Sequence, residues 1–165
     1  MRLSYLDTMR LEINGWSSKI TFSATHIIPG HYKCGRLHGH DYAINATIFG
    51  SIGPDGVILD FISVKEFLRK IAGELDHKVH IPMRDTGIKR EGSSIHYSMK
   101  GKEYLFPEED CAMLDVSVAS AEELANFVLR RVREEVHFPD NVTRVEIGVD
   151  EGEGQGAWTG TDLDA

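Results

Sequence analysis

The residues best suited to chemistry are three histidines and a cysteine. His26 closes the run Phe22-Ser23-Ala24-Thr25-His26, and Cys34-Gly35-Arg36-Leu37-His38-Gly39-His40 follows. Three imidazoles can close three corners of a zinc tetrahedron and leave the fourth open, which separates a catalytic zinc from a structural one. Neutral imidazole suits Zn²⁺. Cys34 admits two readings. It could be a fourth ligand in a closed Cys-His₃ site, or a thiol kept reactive by the charges of Lys33 and Arg36. Its polar, glycine-containing loop argues against core packing and favours the reactive role. His31, in the same loop, is a competing ligand with no strand to orient it.

Two strands must position these groups. Ile20, Phe22, Ala24 and His26 share one parity of an alternating run, the pattern of a half-buried strand. A second strand is predicted from about His40 to Phe49, with Tyr42, Ile44, Ala46 and Ile48 on its apolar face. His40 shares that parity, and His38 lies two residues before it. If the strands pair, the three imidazoles converge at one end of the buried face. Gly53-Pro54-Asp55-Gly56 is a turn signal.

Asp60 reads as a helix N-cap, and Phe61, Val64, Leu68, Ile71 and Leu75 recur at helical spacing. Leu75-Asp76-His77-Lys78 closes this helix. It is either a helix end whose His and Lys complement the dipole or an Asp–His pair, with the carboxylate fixing the imidazole tautomer for proton transfer. Ser120-Ala121-Glu122-Glu123 fits a capping box before a second helix, which carries Leu124, Phe127, Val128, Val132 and Val136. Ile95 to Met99, Lys100-Gly101 and Glu103 to Phe106 read as a hairpin between the helices. A last strand runs from about Val142 to Val149. Glu151 keeps the parity of Val145, Ile147 and Val149, while Asp150 does not. A carboxylate in that buried space needs N–H donors, which a ligand could bring; the plainer reading is a solvated acidic end. The order of elements predicts a single α+β domain over residues 1–165, with helices on one face of an antiparallel sheet.

Bulk properties narrow the classes. A formal charge of −8 argues against a nucleic-acid surface, which would be basic, although a local basic pocket can still take a polyanion. Two cysteines form no disulfide framework and suit a reducing cytoplasm. Met1 to Asp7 lacks a basic region followed by an apolar core, so no signal peptide is expected. No run approaches the roughly 20 apolar residues of a membrane span.

Taken together, these residues resemble the 6-pyruvoyl-tetrahydropterin synthase / 6-carboxytetrahydropterin synthase family, the tunnelling-fold pterin enzymes. The resemblance is carried by Phe22 to His26, Cys34 to Tyr42, Leu59-Asp60-Phe61, Leu75 to Lys78, Ala119 to Ala125 and the terminal Glu. It implies zinc on His26, His38 and His40, a catalytic Cys34, a proton-moving Asp76–His77 pair, and Glu151 as the anchor of the pterin, with Glu153 as fallback. It also implies 7,8-dihydroneopterin triphosphate as substrate and a homo-hexamer of two trimers with sites between subunits. The spacing from Cys34 to His38 resembles the prokaryotic carboxy branch, which serves deazaguanine synthesis of the queuosine and archaeosine type. Animal pyruvoyl enzymes usually have a longer gap. The hairpin near residues 93–106 departs from the short bacterial form and could reshape the pocket rim. A triphosphate needs cations, and Lys33, Arg36 and Lys78 stand near the motifs. The rival readings are another pterin side-chain reaction on the same fold, or a non-catalytic module stabilised by zinc.

Overall fold

The computed structural model describes residues 9–163; the leader reading at Met1–Asp7 lies outside them. β1 (Met9–Ile13) runs into a one-turn helix, α1 (Gly15–Ser18), and β2 (Thr21–His26) follows. β3 (His38–Gly50) is long enough to pair β2 along residues 38–43 and β1 along residues 46–50, both on one edge. α1 fills the corner between them. A Cβ on Gly15 would stand 2.4 Å from the Ile44 carbonyl oxygen, so only glycine fits there. The buried Asn45 side chain accepts the Gly15 N–H at 2.8 Å.

The other edge of β3 pairs with β9 (Val142–Glu151), which pairs in turn with β10 (Gly156–Asp162). β4 (Lys78–Pro82) lies parallel to β2, and β8 (Cys111–Leu114) lies parallel to β4. The sheet is therefore mixed rather than purely antiparallel. The reason is α2 (Phe61–Leu75): through it the backbone passes back over the sheet and re-enters beside β2 in the same direction.

α2 begins as expected, with the Asp60 carboxylate accepting the Ile62 N–H at 2.9 Å. Val64, Leu68, Ile71, Ala72 and Leu75 face the core, while Phe61 is 41% exposed. α3 (Ala121–Glu135) is capped by Ser120, whose hydroxyl accepts the Glu123 N–H, and buries Leu124, Ala125, Val128, Leu129 and Val132. Both helices pack on the sheet residues Ile44, Ile48, Ile147 and Val149 in one core. The expected hairpin is the major part of a separate three-stranded sheet, β5 (Ile88–Glu91), β6 (Ser94–Met99) and β7 (Lys102–Pro107). Its apolar face, with Tyr97 and Met99, packs on Ile27 at the end of β2. No helix among the described residues is long and apolar enough to cross a membrane.

Candidate metal centre and adjoining cavities

The register of β2 on β3 builds the centre. His26 pairs directly with His38, and Ala24 pairs with His40, so all three imidazoles reach one face at the same end of the sheet. One ligand atom from each lies within 4.8 Å of the others. His26 Nδ1 donates to the Ala119 carbonyl at 2.6 Å, and His38 Nδ1 donates to the Arg36 carbonyl at 2.7 Å. Those bonds fix the tautomers and leave both Nε2 lone pairs bare, 3.2 Å apart. Two facing lone pairs repel unless a cation sits between them. His40 Nε2 is buried without a hydrogen-bond partner. Burial also holds the His26 imidazole below its ordinary pKa, against the opposing pull of the Ala119 carbonyl. Three imidazole nitrogens, two of them oriented by carbonyls, are a donor set suited to a divalent metal.

Glu151 stands at the rim. β9 continues to it, as its parity requires, and it pairs with Tyr42. Its carboxylate lies 3.1 Å from His40 Nε2 and 4.0 Å from His26 Nε2. The first contact is close but misaligned for a hydrogen bond, since His40 Nε2 stays unpartnered. Asp150 points to the opposite face and accepts the Trp16 indole N–H at 2.8 Å. Glu153 is exposed in the turn between Gly152 and Gly154. Tyr42 floors the centre, stacked on Phe22 with ring centroids 4.8 Å apart and its edge to His26.

Cys34 lies outside the trio of ligands. It lines a cavity of about 300 Å³ together with His31 and Glu151. His31 Nδ1 accepts the Cys34 backbone N–H at 2.9 Å, so this ring braces the loop and is not among the clustered ligands. The thiol and the half-buried Glu151 thus line common space, and Glu151 also reaches His40 of the histidine trio.

Asp76 and His77 form a pair, with Nδ1 of the imidazole 2.8 Å from the carboxylate. α2 stops at Leu75, and Asp76 is extended, its other oxygen accepting the Ser23 N–H at 2.8 Å. That backbone N–H, with His77 beside it, holds the Asp76 carboxyl below the usual range. His77 takes a left-handed backbone with φ of 55° and leaves its side chain 84% exposed. It opens on a second cavity, of about 620 Å³, that also reaches His40, Asp41 and Lys78. Cys34 and His77 therefore line different cavities of the chain. No pattern in the sequence signals the Ala119 and Arg36 carbonyls that orient the ligands, because any residue type supplies a carbonyl. Tyr42 carried a legible hint, an aromatic on the apolar parity of β3, whereas His80 shares its parity with Lys78 and Pro82 and carried none.

The 6-pyruvoyl tetrahydropterin synthase family model matches residues 16–161. The chain belongs to this family. A Methanocaldococcus jannaschii protein provisionally named a 6-carboxy-5,6,7,8-tetrahydropterin synthase is 32% identical over 154 residues, covering 90% of this chain and 94% of the relative. The Haemophilus influenzae 6-carboxy-5,6,7,8-tetrahydropterin synthase is 27% identical over 124 residues, covering 71% and 80%. The solved Plasmodium vivax 6-pyruvoyltetrahydropterin synthase superposes with a TM-score of 0.86 at 28% identity, over 94% of this chain and 99% of that one. The family and the α+β tunnelling fold expected from the sequence are both borne out, and the histidine trio can hold a metal ion.

Proposed function

We propose that this protein converts 7,8-dihydroneopterin triphosphate to 6-carboxy-5,6,7,8-tetrahydropterin, releasing triphosphate and acetaldehyde, with zinc on His26, His38 and His40. The observation that carries the proposal is a cavity lined by both Cys34 and Glu151, with the Glu151 carboxylate 3.1 Å from His40 of the clustered histidine trio. Relatives named for the carboxy product support the branch.

Zinc, when bound, supplies a Lewis acid that acidifies C–H groups in the tail of the substrate and polarises a developing carbonyl. The protein's own residues divide the remaining work. Glu151 accepts N–H bonds from the amino-pyrimidine edge of the pterin, a planar two-point fit. Cys34, as thiolate, takes a proton from the substrate's tail. His77 moves a proton elsewhere on the substrate, its tautomer held by Asp76. Hydrogen leaving the tail returns to the ring, and one water supplies the second carboxylate oxygen as the two-carbon end leaves as acetaldehyde, so the reaction balances with water and needs no external reductant.

Cys34 and His77 open on different cavities, which fits a homo-hexamer whose sites lie between subunits. The pyruvoyl product is the second reading, favoured by the likeness to the Plasmodium vivax structure. Incubation with 7,8-dihydroneopterin triphosphate, followed by mass spectrometry, separates them. The carboxy product must come with acetaldehyde in equal amount, and a pyruvoyl product without acetaldehyde overturns the carboxy reading.

A further inference from the structure

The separate three-stranded sheet reaches the loop that carries Cys34. Lys102 Nζ donates to the Gly35 carbonyl at 2.9 Å. Lys100 Nζ stands over Gly30, 3.1 Å from where a Cβ would be. Between hairpin and loop lies a cavity of about 400 Å³ whose charged lining is Arg36, Lys100 and Lys102, with no carboxylate. None of the three makes an ion pair among the described residues. In a protein of net charge −8, a cavity whose lining holds Arg36, Lys100 and Lys102 and no carboxylate concentrates an anion.

The backbone adds an independent sign. Lys100 and Gly101 form the two-residue turn between β6 and β7, with φ of 46° and 77°. Such turns favour Asn-Gly, and a lysine at the first position is locally disfavoured. A residue held in that region against its preference points to a role for its side chain. His31 lines this cavity as well as the one shared by Cys34 and Glu151, so the two adjoin.

We infer that Arg36, Lys100 and Lys102 hold the triphosphate tail of the substrate, two of the three cations coming from the inserted hairpin. This rests on the substrate reading above. The Arg36 guanidinium can grip phosphate oxygens in pairs, and the lysines act as point charges. Lys102 keeps two N–H donors beyond the one given to Gly35. Lys78 is the weaker candidate, because it shares its cavity with Asp41 and Asp110 and donates to the Glu109 carbonyl.

The test titrates inorganic triphosphate into the native protein by calorimetry. Binding should weaken with salt. Lys100→Asn suits the turn, so it should keep or raise the melting temperature while weakening triphosphate binding roughly ten-fold. It should also raise KM for 7,8-dihydroneopterin triphosphate and leave affinity for unphosphorylated dihydroneopterin unchanged. Lys65→Gln, on α2, should change none of these. Turnover with no triphosphate binding, or with equal binding by native protein and Lys100→Asn, overturns the tail site and leaves the reaction standing. Triphosphate binding that Lys100→Asn weakens, with no turnover, supports the polyphosphate pocket and overturns the reaction. A changed assembly mass in Lys100→Asn with undiminished triphosphate binding makes the cluster a subunit contact and overturns the inference.

Discussion

His26 and His38 face each other across β2 and β3 with Nε2 atoms 3.2 Å apart, while each gives its Nδ1 hydrogen to a backbone carbonyl. With those hydrogens on Nδ1, the neutral rings turn their Nε2 lone pairs toward each other, an arrangement suited to holding a cation. His26→Ala and His38→Ala should each abolish stoichiometric metal binding, read by elemental analysis of the purified protein. Chelation of the native protein should lower its melting temperature, since a ligand bound only to the fold stabilises it. Retained metal in either variant would move the centre elsewhere.

Cys34→Ala should keep its metal, because the thiol lies outside the ligand cluster. Turnover should fall by roughly 10²- to 10⁴-fold, the range expected for loss of a proton-transfer group. Loss of metal in this variant would make Cys34 a fourth ligand and close the site.

Glu151→Gln should weaken pterin binding by about ten-fold or more, since a charged acceptor becomes a neutral one. Its metal content separates the two roles open to a carboxylate 3.1 Å from His40. Full occupancy with weak pterin binding marks an anchor, and lost metal marks a ligand. Glu153→Gln should bind pterin like the native protein, because Glu153 is exposed in a glycine turn.

His80 sets an acid limit on the fold. It is buried beside Phe22 and Tyr42, and burial pushes its pKa down to about 4 from the ordinary 6.5. Folding therefore favours the neutral ring. The dependent stability is fully present above pH 6.5 and is lost as pH falls toward 4, by about 3 kcal/mol. His80→Phe should flatten the stability curve of metal-free protein across that window, measured by denaturant unfolding. An unaltered slope would show that His80 does not set it.

Sequence parity located the metal trio because strand alternation is local and β2 and β3 are near neighbours in sequence. It also placed Glu151, since β9 keeps its alternation to the end. The caps at Asp60 and Ser120 were legible for the same reason. β4 and β8 were not, being runs of 5 and 4 residues whose parallel partners lie far away in sequence. Lys100 and Lys102 could be assigned to a hairpin but not to a target, because the contact with Gly30 and Gly35 depends on how Ile27 seats the second sheet.

The direct pairing of His26 with His38 would make a metal held there a proofreader of the protein's own folding. Side chains alternate between faces, so β2 aligned one residue out would carry His26 to the far side, away from His38 and His40. Only the correct alignment presents three nitrogens together. A captured cation thus rewards one strand register over its neighbours, and the metal content of a refolded sample counts the molecules that aligned their strands correctly.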